Sequence, residues 1–184
     1  MNRKAFMAGF LIGIGDIAIM ACDNKYLSAF LFSVGLLAII QLQLPLFTGR
    51  IGKVIEKKNY AECGIMLIFN ILGTSAACGL YSLMGNYEKV TTVAGNKFAK
   101  SLLTLFVAGI LCNVLIHIAV TAKREVITVL CVMGFILCGF EHSIADAGYA
   151  FLTLKPMYLF GWLLVVLGNA AGGIATELLI RDRG

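Results

Sequence analysis

Charge is what this chain has least of: charged residues fill 14% of its 184 positions, against about 25% in an ordinary soluble domain. With 60% of positions hydrophobic, no water-soluble fold of this length hides its apolar surface. Absent too is any CxxC pair or zinc-type spacing. Cys22, Cys63, Cys78, Cys112, Cys131 and Cys138 lie in or beside apolar stretches and read as small buried hydrophobes. The only two histidines, His117 and His142, lack a convincing third ligand, so no metal site is expected. No nucleophile constellation or cofactor motif accompanies them, so no cofactor is expected. The net charge of +5 comes from short basic clusters between apolar runs, never a stripe interleaved with aromatics, which excludes nucleic acid as a partner.

What the chain does have is long apolar runs, at about 5–22, 26–44, 62–84, 99–121, 126–152 and 157–180. One membrane-spanning helix needs about 20 mostly apolar residues, so six crossings use nearly the whole length. The expectation is an all-α polytopic membrane protein, one transmembrane domain over 1–184, with no second soluble domain. Arg3 and Lys4 before the first run, and Ile19-Met20-Ala21-Cys22 at its end, imitate a cleaved leader. Asp16 inside the run and the further runs after it favour a retained first span.

Ten of the fifteen Lys and Arg fall on the side of the N-terminus: Arg3, Lys4, Arg50, Lys53, Lys57, Lys58, Lys123, Arg124, Arg181 and Arg183. Lys25, Lys89, Lys97, Lys100 and Lys155 fall on the other. The positive-inside rule then puts both termini in the cytoplasm of a multi-pass protein of the cell (inner) membrane.

The runs divide into two sets of three, about 5–84 and about 99–180. Ala8-Gly9 with Gly13 is answered by Ala108-Gly109 with Asn113, and Asn70-Ile71-Leu72-Gly73 by Asn169-Ala170-Ala171-Gly172. An odd number of spans per repeat forces opposite insertion, an inverted repeat with a substrate path at the interface of its halves. For any single pair, small residues that let helices approach closely are the better explanation; the ordered series favours the repeat.

The middle run of each set is interrupted. Span two carries Gln41, Gln43, Pro45, Thr48, Gly49 and Arg50, and span five carries Gly139, Glu141, His142, Ser143 and Asp146. Such residues are expensive in hydrocarbon unless they face protein or a cavity, and a broken helix is tolerated only around a buried or aqueous pathway. The half-helix N-terminus beyond each break carries partial positive charge, which suits a small anion. A structural kink sealed by interhelical hydrogen bonds is the competing reading of either break alone.

Leu46-Phe47-Thr48-Gly49, Gly109-Ile110-Leu111-Cys112-Asn113, Gly139-Phe140-Glu141-His142-Ser143-Ile144-Ala145 and Gly168-Asn169-Ala170-Ala171-Gly172-Gly173 resemble the formate/nitrite transporter family. The likeness runs through nearly the whole chain, and the Glu-His-Ser-Ile-Ala segment is its most specific part. The resemblance implies an aquaporin-like protomer in a homopentamer, each copy carrying formate, nitrite, hydrosulfide or a similar small acid anion. It implies that His142 stands at the pore centre facing Thr48, with Leu46 and Phe47 on the same loop. Phe32, Leu36 and Phe135 match the apolar constrictions, and Lys97 matches a vestibule lysine. Asn113 and Asn169 match polar pore-side or loop-supporting residues.

Pro45, Arg50 and Asp146 depart from the family pattern, standing where an acidic residue and two asparagines are usual; they leave the anion's identity open. The chain is also shorter than is usual for the family, without a leading amphipathic helix or C-terminal extension, so no gate borne by a long N-terminus is expected.

A bare anion carries a large desolvation penalty through an apolar constriction, whereas its neutral acid crosses at far lower cost. Lys97 would gather anions outside and His142 would donate or relay a proton. Glu141 is expected to bond loop amides, with Ser143 as a further loop support. A lone membrane histidine is as often a structural hydrogen-bonding residue, and His117, on the helical face of Asn113, reads that way. Arg50 and Asp146, at equivalent places beyond the two breaks and of opposite charge, either pair with each other, or Arg50 reaches the cytoplasmic surface while Asp146 caps its half-helix. The readings from other classes are an intramembrane enzyme using Glu141 and His142, and a non-transporting membrane scaffold.

Overall fold

The computed structural model describes residues 1–181, and Arg183 lies outside them. The described residues are helical: α1 (Asn2–Ala21), α2 (Lys25–Gln41), α3 (Phe47–Arg50), a 3-10 turn (Ile51–Lys53), α4 (Val54–Lys57), α5 (Tyr60–Tyr81), a π turn (Ser82–Asn86), α6 (Tyr87–Phe98), α7 (Leu102–Ala122), α8 (Glu125–Leu137), α9 (Ser143–Thr153) and α10 (Pro156–Ile180). Four of these stretches are long and apolar enough to cross a membrane: Asn2–Ala21, Tyr60–Phe98, Leu102–Ala122 and Pro156–Ile180. α2 and α8 are apolar but shorter.

Local chemistry sets the boundaries. Asn24 caps α2 by accepting from the backbone N–H of Tyr26 and Leu27 at 3.0 and 3.1 Å, and Ser101 caps α7 by accepting from that of Thr104, the usual work of short polar side chains at a helix start. Pro156 opens α10, where its missing N–H is no loss. α6 was not foreseen: Glu88, Lys89, Asn96 and Lys97 make it too polar to read as a span. It buries Val90, Ala94 and Phe98 against the rest of the molecule.

The helix ends at the two interruptions match bond for bond. Gln43 N–H donates to Ile40 O and Leu44 N–H to Ile39 O at 3.1 and 2.9 Å; Gly139 N–H donates to Ile136 O and Phe140 N–H to Phe135 O at 3.1 and 2.9 Å. Gln43 and Gly139 both turn the chain through the left-handed region, at φ 52° and 70°. Glycine does so freely; glutamine gives up roughly 1 to 2 kcal/mol. Pro45, next along, has no N–H to lose, whereas its equivalent Glu141 donates its own to Ala108 O.

Each restarted helix is held by one asparagine. Asn70 Oδ1 accepts from Phe47 N–H at 2.8 Å, and its Nδ2 donates to Ala5 O and Pro45 O at 2.7 and 3.1 Å. Asn169 repeats the pattern, accepting from Ser143 N–H at 2.8 Å and donating to Gly109 O and Glu141 O at 2.8 and 2.9 Å. Both asparagines are fully buried. This corrects the register read from sequence: Ala5, not Gly9, is the counterpart of Gly109, one helical turn away from the expected pairing. The same register recurs in packing, since a Cβ at Gly73 would strike Phe6 O and one at Gly172 would strike Ile110 O. These glycines let α5 close on α1 and α10 close on α7.

Removing either carboxamide strands a buried N–H and two carbonyls, each worth about 1 to 3 kcal/mol. Asn70→Ala and Asn169→Ala should each lose on the order of 3 kcal/mol, read as a lowered midpoint for thermal unfolding in detergent, while exposed Asn2→Ala melts like the parent. Unchanged midpoints for both buried variants would refute this role.

Candidate functional site

The two restarted helices meet at Thr48 and His142. Thr48, in α3, lies 3.0 Å from His142 Nε2 through its hydroxyl oxygen. His142 Nδ1 accepts from Ala145 N–H at 3.2 Å, so the imidazole is the N-cap of α9. With Nδ1 used as acceptor, the neutral ring carries its hydrogen on Nε2 and donates it to Thr48. Both residues are buried.

An aromatic ring packs on the histidine. The His142 ring stacks on Phe135 at 5.8 Å between centroids, and Phe135 meets Phe32 edge-on, also at 5.8 Å. Leu36, Leu46 and Phe47 belong to the same buried cluster. By the hydrogen-bond register of the breaks, Leu46 is the counterpart of His142, so one half supplies an apolar side chain where the other supplies imidazole. Asn169 and Ser143 hold the backbone around this ring: Ser143 N–H goes to Asn169, and Ser143 O accepts from Trp162 Nε1 at 2.7 Å.

Beside the ring lies an ion cluster whose partners the sequence did not disclose. Lys97 Nζ is 2.5 Å from Glu141 Oε2 and 2.9 Å from Asp146 Oδ1, and Lys100 Nζ is 2.5 Å from Glu141 Oε1. Lys100 also donates to Gly139 O at 3.0 Å. Two expectations change. The Glu141 carboxylate engages two ammonium groups rather than loop amides; the backbone carbonyl of Glu141, not its side chain, meets Asn169. Lys97 is a mostly buried cation shared by two carboxylates, not a free vestibule charge, because α6 lays it directly against the second break.

Arg50 and Asp146 do not pair. Arg50 sends its guanidinium outward to Glu62, 3.8 Å away, with the two side chains 45% and 40% exposed, and Asp146, fully buried, faces Lys97. A long arginine stem reaches polar surroundings that a short aspartate cannot. Asn113 is fully buried on α7 with both amide atoms unpartnered, away from the Thr48–His142 contact.

Four residues were missed as site candidates. Asn70 had been seen only as a repeat marker, although its match to Asn169 was the available signal. Lys100 enters the sequence reading only in the charge count by side, and Glu177 does not enter it. Asp16, fully buried on α1 and accepting from Thr74 Oγ1 at 3.4 Å, had served only to argue against a leader. A carboxylate inside an apolar run was its signal.

A family model described as formate/nitrite transporter matches residues 1–181. The chain belongs to the formate/nitrite transporter family. Among its relatives, the nitrite transporter NirC of Escherichia coli (strain K12) is 27% identical, over 91% of this chain and 76% of that protein. NirC of Salmonella typhimurium (strain LT2) is also 27% identical, over 91% and 77%. A solved structure titled FNT family ion channel superposes with a TM-score of 0.81 at 25% identity, covering 94% of this chain and 85% of that one. A second, titled pentameric formate channel with formate bound, gives a TM-score of 0.75 at 19% identity over 97% and 95%. As a formate/nitrite transporter family member, the chain is a membrane protein of the anion channel or transporter class. The intramembrane-enzyme reading falls.

The ion cluster makes its own prediction. Lys97→Met leaves Asp146 without its cation, whereas Glu141 keeps Lys100. The loss should be roughly 3 kcal/mol, the lower end for a broken buried pair because Lys97 is 25% exposed. Adding Asp146→Asn should recover part of it in thermal unfolding measurements; a double variant as damaged as the sum of the singles would disprove the pairing.

Proposed function

We propose that this chain conducts small monovalent acid anions, formate, nitrite or hydrosulfide among them, across the cell (inner) membrane through the Thr48–His142 contact. The observation that carries this reading is a buried hydrogen-bonding pair between α3 and the start of α9, with Phe135 stacked on the imidazole and Phe32 edge-on to Phe135, and with Leu36, Leu46 and Phe47 in the same apolar cluster as these two rings. In this reading the chain crosses six times as two inverted halves, about 5–84 and about 99–180, with α2–α3 and α8–α9 as broken spans and both termini cytoplasmic. Five copies assemble, each with its own path; support comes from a neighbour whose title names a pentameric formate channel.

Proton linkage follows from solvation. A bare anion entering the ring of apolar side chains loses its water without replacement, whereas the neutral acid gives up far less. His142 presents Nε2–H toward Thr48, so an anion displacing that hydroxyl meets the same hydrogen. If the anion takes it, the ring must gain a proton from water that enters with the anion, and where that proton goes to Nδ1 the cap on Ala145 must open. Lys97, Lys100, Glu141 and Asp146 form the outer approach, with two charges of each sign. Asn169 supports the loop, and Asn113 lines the far side.

Purified protein in liposomes tests this directly. Formate, nitrite or hydrosulfide should equilibrate faster than in protein-free liposomes, and His142→Ala should change the pH dependence of flux while leaving assembly intact. Absence of flux for these and for acetate and lactate would leave a non-transporting scaffold; flux with an unaltered pH profile in His142→Ala would remove the histidine from the proton path.

A further inference from the structure

Beyond the Thr48–His142 contact lies a second polar site, whose His117 and Glu177 have no part in the conduction mechanism above. His117, on α7, places Nε2 2.7 Å from Glu177 Oε2 on α10. Its Nδ1 has no hydrogen-bond partner and is buried. Asn113, one turn earlier on the same face of α7, is fully buried with both Nδ2 and Oδ1 unpartnered. Three polar atoms without partners in one place are costly, about 1 to 3 kcal/mol each. Two glycines border the site: a Cβ at Gly52 would come 2.6 Å from His117 Nδ1, and one at Gly173 would strike Asn113 Nδ2. Any larger residue at either position would collide with these side chains, so the two glycines let backbone approach the imidazole and the carboxamide closely.

Thr48 and Gly52 stand one helical turn apart, so the chain that bonds His142 at one turn touches His117 at the next. Glu177, near the end of α10, keeps its side chain 12% exposed. The two histidine pairs, His142 with Thr48 and His117 with Glu177, are therefore joined by one short stretch of backbone from Thr48 to Gly52.

We propose that Asn113 and His117 form a second station for a small monoprotic acid, at which the acid hands over its proton. This deepens the conduction reading and rests on it. The unpartnered atoms complement a carboxylic acid: Asn113 Nδ2 donates to the carbonyl oxygen, and His117 Nδ1 accepts from the acid O–H. When the O–H bond breaks, its proton stays on Nδ1 and its electron pair leaves with the anion. His117 is then an imidazolium whose Nε2–H is held by the Glu177 carboxylate, the pairing that stabilises a charged ring. The proton departs from Nε2 through Glu177 to water and leaves a neutral ring with its hydrogen on Nδ1; Nδ1 then releases that hydrogen to water in the vacated station while Glu177 returns one to Nε2, which restores the starting tautomer.

Most charged groups on the neighbouring elements pair elsewhere. Glu177 is the acidic partner from α10; Arg181, one turn on, bonds Glu56 of α4 at 3.6 Å. Arg50 of α3 is turned to Glu62, and Glu125 of α8 accepts from Gln41 at 2.8 Å. The 3-10 turn brings Gly52 and ends in Lys53.

With only two histidines in the chain, side-chain nitrogen NMR on histidine-labelled full-length protein resolves the question. His117→Gln assigns the His117 signals, and sodium formate is the probe. Formate should shift the His117 Nδ1 signal toward the protonated form, and Glu177→Gln, which keeps a hydrogen bond to the ring but not its charge, should weaken that response about tenfold. Asn113→Leu should abolish it; if His117→Gln fails to fold, Glu177→Gln and Asn113→Leu carry the test. A response confined to His142, or one identical with sodium chloride, would overturn the proposal, the latter leaving buried water as the partner of these atoms. Absence of flux in liposomes sinks the conduction reading separately, whatever this spectrum shows.

Discussion

Everything about this molecule depends on how a helix can be interrupted where water cannot repair it. A buried amide or carbonyl left unpaired costs about 1 to 3 kcal/mol, and each interruption exposes several. Asn70 and Asn169 solve this with one side chain apiece, each accepting from the first N–H of a restarted helix and donating to two carbonyls. Asn70 ties the loop at Pro45 to α1 and to the start of α3, and Asn169 ties the loop at Glu141 to α7 and to the start of α9. Glycines at the α1–α5 and α7–α10 crossings then bring those helices close enough for a short carboxamide to span them. The interruptions are parts of a frame, and the frame fixes where Thr48 and His142 stand.

Given that frame, the loops before α3 and α9 differ in the side chains they carry. The first half supplies Leu46 and the second His142 at matching places, so the meeting point is apolar on one side and hydrogen-bonding on the other. The second break is also the one α6 covers, with Lys97 balanced between Glu141 and Asp146. The first break has no comparable lysine, and Arg50, at the position matching Asp146, is half-exposed beside Glu62. Symmetry of backbone thus coexists with asymmetry of charge.

The family, the helical class and the membrane location were legible in composition and in a few motifs, above all Glu141-His142-Ser143-Ile144-Ala145. Pro45, Gln43 and the polar stretch from Gly139 to Asp146 marked the segments where the helices stop. The register between halves was misread by one turn because small residues recur every fourth position on a helix, and a one-turn slip leaves such a pattern intact. Three-dimensional partners were illegible for a different reason. Lys97 meets Glu141 and Asp146 across a long stretch of chain, and nothing in α6's composition points to the break it covers. Arg50 and Asp146 match in position between the halves, but the elements around them do not match, so their charges never meet. Asp16, Asn70, Lys100 and Glu177 gain meaning only from what packs against them.

The central claim is that the permeating species passes the His142 ring as a neutral acid. Proton stoichiometry tests it most directly: formate entry into protein-containing liposomes, with lumenal pH and transmembrane current recorded together. One proton should enter with each formate and no net current should flow. Formate entry that carries current and leaves lumenal pH unchanged would contradict the claim and make the path one for the bare anion.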